Sequence, residues 1–189
     1  MTHVISELFA GLGKPAIGLE LELESTKPQP LDWIKGSLWT VHEDRSLRRN
    51  GIEYVFAKPL WGGDIAAALE QFRENTKDTK FINDSIYGST HVHYNVGHLY
   101  STEIVSILLA WSILEDVFLS LCAPSRNGNL FALRYCDSNG FINTMLDGYK
   151  NRGEVYELFR MFSNDRWKYM NLNIATVRSL GTIEFRCYH

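Results

Sequence analysis

Three short segments of this sequence place ionisable side chains two residues apart. Ile17 to Glu24 reads I-G-L-E-L-E-L-E, His91 to Val96 reads H-V-H-Y-N-V, and Thr182 to Tyr188 reads T-I-E-F-R-C-Y. On a β-strand that spacing puts both side chains on one face, with Cα atoms about 6.5–7 Å apart. Glu20 and Glu22 would repel one another there, and relief comes from solvent or from a cation, so both are candidate metal ligands. The same pattern also fits the solvated edge of an antiparallel strand. His91 and His93 are competent metal ligands or phosphate donors, or core histidines satisfied by a carbonyl and a water. Glu184 can bind a cation while Arg186 grips a phosphate or carboxylate oxygen beside it, or the two form an ordinary ion pair. Each pair alone has a structural explanation. Three such faces in one chain, each backed by apolar alternation, favour a shared polar pocket.

The elements that must position these faces follow from periodicity. Leu19, Leu21 and Leu23 alternate with Glu20, Glu22 and Glu24, predicting a strand over Ile17–Glu24. Trp39–Glu43 and Ile52–Phe56 read as further strands joined by an Arg49-Asn50-Gly51 turn, which sets Glu53 opposite Ile52 and Tyr54. Asp64 is the expected N-cap of a helix with Ile65, Ala68, Leu69 and Phe72 on its apolar stripe. His91–Val96 alternates with Asn95 on the histidine face, after a Gly88-Ser89-Thr90 turn. Ser101 or Thr102 is expected to cap a long apolar helix reaching Leu121, in which Trp111 is a core residue, and a second helix is expected near Glu154–Phe162. Met170–Val177 and Thr182–Tyr188, joined around Leu180-Gly181, are the expected closing strands. The fold class is α+β, mainly antiparallel, with helices packed on one face.

The 189 residues suit a single domain rich enough in apolar side chains, at 45%, to bury a core. With 19 basic and 22 acidic residues the charge is −3, so there is no general attraction to nucleic acid or acidic membranes. Cys122, Cys136 and Cys187 show no C-x-x-C spacing, which disfavours a disulfide framework or zinc ribbon and fits a reducing cytoplasm. Met1–Leu12 lacks the basic start of a secretory signal. Glu115 and Asp116 interrupt the longest apolar run, which therefore reads as a buried helix and not a membrane span.

The ordered segments G-L-E-L-E, H-E-D-R-S-L, G-I-E-Y-V, S-T-H-V-H-Y-N, K-Y-M-N-L-N and G-T-I-E-F-R resemble the amidoligase family, itself similar to glutamine synthetase and the glutamate–cysteine ligases. The resemblance runs from about Ile17 to the last residue. It implies a glutamine synthetase-like catalytic domain with ATP and two Mg²⁺ or Mn²⁺ ions. One ion would be held by Glu20, Glu184 and His91, the other by Glu22 and Glu53. Carboxylate-rich ligands agree with hard cations that also take phosphate oxygens. His93 and Asn95, with Arg186 and Lys168, would contact the nucleotide, and Arg186, Arg126 and Lys168 would offset charge on the transferring phosphoryl group. Arg126 lies in the loop A-P-S-R-N-G-N, whose commoner use is as a solvated connection, and Asp44 and Ser46 in H-E-D-R-S-L equally suit a simple turn. The family continues beyond E-F-R with a Gly-containing turn and a helix, whereas this sequence ends at Cys187-Tyr188-His189, so a domain short of that segment is expected.

The implied activity is an ATP-dependent ligase that joins a small-molecule or peptide carboxylate to an amine through an acyl phosphate. A phosphotransferase on the same fold, a catalytically idle binding domain and a metal-dependent hydrolase are the competing readings. The acid, the amine and the oligomeric state are not legible, because specificity would reside in loops such as Ala123–Leu130.

Overall fold

The computed structural model describes residues 15–31, 37–83, 85–124, 128–130, 132–150, 163 and 165–188. Arg126, the opening Met1–Leu12 and the helix expected near Glu154–Phe162 lie outside the described residues. The chain is α+β. It divides into two compact units, Ala16–Val92 and His93–Tyr188 with Pro15. Among the described residues no helix is long and apolar enough to cross a membrane.

In the first unit, β1 (Ile17–Leu23), β2 (Trp39–Glu43), β3 (Ile52–Phe56) and the start of β4 (Ser89–Asn95) are hydrogen-bonded in the order β2-β3-β1-β4. The β1–β3 and β2–β3 ladders are antiparallel, and Glu22 stands opposite Glu53. Leu19, Leu21 and Leu23 pack against Trp39, Tyr54 and Phe56 and against Ala68, Ile65 and Phe72 of helix α1 (Gly63–Thr76). The leucine face of β1 is thus the core face, as its period of two predicts. The N-cap of helix α1 lies two residues earlier than expected: it is Gly62, at φ 55°, and Asp64 sits in the first turn, where its charge favours the helix dipole.

The turn between β2 and β3 depends on two backbone features. Asn50 adopts φ 44°, a left-handed conformation that asparagine tolerates. A Cβ on Gly51 would lie 2.0 Å from the Cβ of Leu47, so only glycine fits there. Where β1 ends, Glu24 turns inward, 4% exposed, and ties three segments together. Its Oε1 accepts the Arg48 N–H at 2.5 Å and the Arg49 N–H at 2.8 Å, and its Oε2 accepts the Ser85 hydroxyl at 2.6 Å. The alternation that groups Glu24 with Glu20 and Glu22 therefore breaks at this residue.

In the second unit, the end of β4 pairs with β6 (Thr182–Tyr188), which in turn pairs antiparallel with the two-residue β5 (Leu172–Asn173). Helix α2 (Ser101–Ser120) presents Ile104, Val105, Leu108 and Trp111 to Val96, Leu172, Ile174, Ile183 and Cys187. Its N-cap is Tyr100 and not Ser101 or Thr102, and the Tyr100 N–H is taken by Glu103 Oε2 at 2.7 Å. Helix α3 (Asn139–Lys150), which is not among the elements expected from the sequence, carries Phe141 into the same core between Tyr135 and Trp167. The strand expected over Met170–Val177 is cut short. After Asn173 the chain enters the short helix α4 (Thr176–Leu180), and Gly181, at φ 71°, ends it and returns the chain into β6.

Glu115 is the buried polar hub of this unit. Its carboxylate accepts the backbone N–H of Tyr135 at 2.7 Å and of Cys136 at 3.1 Å, and the Asn171 amide at 2.7 Å. Asn171 accepts the Trp111 indole N–H at 3.0 Å. Removing the carboxylate leaves three donors inside the protein without it, each costing about 1–3 kcal/mol when unsatisfied. Glu115→Ala is expected to lower stability by about 2–5 kcal/mol in urea denaturation. A loss under about 0.5 kcal/mol would mean that water replaces the carboxylate.

Glu24 gives a pH-dependent counterpart. Burial pushes its carboxyl up, but the Ser85 hydroxyl and the backbone N–H groups of Arg48 and Arg49, helped by the Arg49 charge, hold it below its ordinary value of 4.5. A depressed folded-state value means that the ionised carboxylate stabilises the protein above pH 4.5 and loses that contribution as pH falls through the folded value. Glu24→Gln is expected to destabilise the chain by about 1–3 kcal/mol near neutrality, with the deficit shrinking below about pH 4. A deficit that stays constant across an acid titration of urea midpoints would remove the carboxylate charge from this role.

Candidate functional site

The first unit gathers acids and two histidines, His91 and the exposed His42 across from Glu53, on the face of β1 opposite its leucines. His91 on β4 is buried, and its Nδ1 lies 3.2 Å from Glu20 Oε2. A ring nitrogen facing a carboxylate donates to it, which orients the imidazole. His91 Nε2 lies 2.9 Å from the Ser89 hydroxyl and 3.9 Å from Glu22 Oε2, and the same hydroxyl donates to Glu22. Ser89 is thus shared between the imidazole and the second acid. Glu53 faces Glu22 across the β1–β3 ladder. Burial raises its carboxyl above the usual range, and the charges of Glu20, Glu22 and Asp44 raise it further. Glu53 therefore feels the field of three other carboxylates, offset in part by His42, and no arginine or lysine bonds to Glu22 or Glu53 among the described residues.

Glu20 and Glu22 are partly buried and not free on a strand edge, with side-chain exposures of 25% and 19%. Partial burial strengthens the repulsion that an exposed pair would lose to water. An oxygen-rich set with one oriented imidazole and no thiolate matches a hard divalent cation such as Mg²⁺ or Mn²⁺. Glu20, Glu22, Glu53 and His91 are the residues of this unit whose side-chain types could serve as ligands to such an ion. Asp44 lies outside this set: it accepts the Ser46 N–H and hydroxyl at 2.8 and 2.9 Å, closing a turn.

The second unit holds the remaining expected residues. Glu184 is buried, accepts the Asn173 amide at 2.6 Å, and pairs with Arg186 through Nη1 at 2.6 Å. His93 is buried on β4, with Nδ1 3.1 Å from the Thr182 hydroxyl and Nε2 4.0 Å from Glu184 Oε1. Glu184, Arg186 and His93 are thus brought together. Asn95 spends its side-chain oxygen on the Gly97 N–H at 2.8 Å, a local turn contact. Lys168 is exposed on a short 3-10 turn over Asp165–Tyr169, its Nζ 6.0 Å from the Tyr169 ring.

Three polar partners escape a motif-based reading. Ser89 belongs to the expected Gly88-Ser89-Thr90 turn, yet it opens β4 and extends the period of two that carries His91 and His93, and the run S-x-H-x-H is the signal for it. Asn173 and Thr182 are neighbours of Glu184 and His93 only through the fold. No protein-family model matches this chain, and no match is found among the curated proteins or the solved structures.

Proposed function

We propose that the chain is an ATP-dependent ligase that joins a carboxylate to an amine, with a glutamine synthetase-like catalytic sheet. The observation that carries this reading is the convergence of Glu20, Glu22 and Glu53 on one face of the first unit with the oriented imidazole of His91. A bound Mg²⁺ or Mn²⁺ would supply charge that draws in and neutralises triphosphate oxygens. Glu20, Glu22, Glu53 and His91 would hold such ions, and Ser89 would keep Glu22 and His91 in place. In the second unit Arg186 offers a planar guanidinium, paired through Nη1 with Glu184, and that fork geometry is the kind that grips a phosphate or carboxylate oxygen. The net reaction consumes a carboxylate, an amine and ATP and yields an amide, ADP and phosphate. The ordered segments that resemble the amidoligases support the same reading.

Metal dependence tests it. The acid face repels bare triphosphate, so calorimetry is expected to register ATP binding with Mn²⁺ and none with chelator. Two carboxylates about 6–7 Å apart at an effective dielectric near 20 repel by roughly 2–3 kcal/mol before salt screening. Glu22→Gln, which retains an acceptor for Ser89, is therefore expected to melt no lower than wild type with chelator and to lose most of the thermal shift conferred by Mn²⁺ and ATP. A variant that melts lower without metal and keeps the full shift would make Glu22 a structural partner and overturn the metal assignment.

The guanidinium gives a separate test. Arg186→Lys keeps the charge but loses the fork, and ADP release in the presence of amine and acid substrates is expected to fall about tenfold or more, with stability changed by less than about 1 kcal/mol. Wild-type turnover in this variant would remove Arg186 from the chemistry.

A further inference from the structure

A cavity of about 300 Å³ opens beside the acid face of the first unit, and none of the residues assigned to metal or phosphate lines it. Leu23, Phe81 and Ile82 form its apolar wall; Glu24, Ser85, Ser89 and Thr90 form the polar one, and Asn83 stands exposed among the lining residues. Ser89 is the link to the acid group, since its hydroxyl also reaches Glu22 and His91. Anything seated in the cavity is therefore one residue away from the proposed reaction site. We propose that this cavity binds the primary ammonium group of the amine substrate, with a short apolar stem against Leu23, Phe81 and Ile82 and the positive charge toward Glu24.

Charge and volume both select this class. Glu24 is a carboxylate inside the protein whose three hydrogen-bond donors, two backbone N–H groups and the Ser85 hydroxyl, are all neutral. Its negative charge is dispersed but not cancelled, and the one guanidinium named in its field, that of Arg49, is solvent-exposed. Carboxylate lone pairs number about four, and three donors leave room for one more. An anionic group would meet uncompensated repulsion on this wall, and a neutral one would forgo the attraction. The volume is at the small end of ligand pockets, enough for a small amine or the end of a longer one. The role of the amine as the ligase nucleophile, taken up once the ammonium has released one proton to solvent, rests on the function proposed above, whereas the binding itself does not.

The test uses the full chain without metal or nucleotide, labelled with ¹⁵N and titrated near neutrality with n-butylamine, which is protonated there as a lysine side chain is. Butan-1-ol and butyrate have the same stem with neutral and negative heads. Butylammonium is expected to give saturable amide shifts centred on Leu23, Ile82, Ser85 and Thr90, with the alcohol and butyrate binding at least fivefold more weakly. Glu24→Gln is expected to erase that preference for the cation. Because Glu24→Gln also loosens the strand ends, a second variant, Ile82→Trp, fills the cavity and leaves Glu24 untouched; it is expected to abolish the shifts, with melting in chelator as its check of folding. Equal binding of the three probes, shifts centred on other residues, or full binding by folded Ile82→Trp would overturn the proposal. Saturable amine binding in a chain that shows no metal-dependent ATP binding would uphold the cavity and sink the ligase reading. Metal-dependent ATP binding with no ammonium preference would do the reverse.

Discussion

The first unit depends on the hydrogen bonds of one carboxylate that stands apart from the acid group. Glu24 accepts hydrogen bonds from the turn before β3 and from the segment before β4, so the exit of β1 is held to both neighbours at one point. A strand slip of one residue would exchange its two faces and send the leucines outward and the acids into the α1 core. Holding the end of β1 therefore fixes which face carries charge. The antiparallel ladder then sets Glu22 across from Glu53, and the pairing of β1 with β4 brings His91 to Glu20.

Two kinds of acid coexist among the described residues, and their surroundings separate them. Glu24 and Glu115 are each held by neutral donors at close range, and those hydrogen bonds tie separate segments of the fold together. Glu53 sits among other carboxylates, and burial and like charge both disfavour its ionisation. A structure that retains such a group has a cost that a cation would offset. Glu184 stands between these cases, held by both Asn173 and Arg186.

The strands were legible because a period of two survives any tertiary context: β1, β2, β3 and β6 fall within a residue of where alternation places them. The same rule located Glu20, Glu22, His91, His93, Glu184 and Arg186 on their faces. It failed where a single polar residue changed role. Glu24 continues the alternation in sequence but leaves the strand to bind backbone N–H groups, and Asn173 ends a strand that Ile174–Val177 seemed to prolong in composition. The caps differ for a related reason: Gly62 and Tyr100 end their loops by backbone geometry and by the Glu103 carboxylate three residues on, not by a hydroxyl or carboxylate at the first helical residues. Polar partners such as Ser89 and Thr182 are visible only once strands far apart in sequence lie side by side.

The contact of Gly51 with Leu47 bears on how this chain can vary. Position 51 has no space for even a methyl group, and Leu47 is itself part of the interior. Any side chain at 51 must push the tip of the turn, and the nearest element to receive that displacement is β3, where Glu53 lies two residues along. Sequence drift is thus closed at a residue that touches no ligand, and a lineage that altered the turn would have to rebuild the acid face with it.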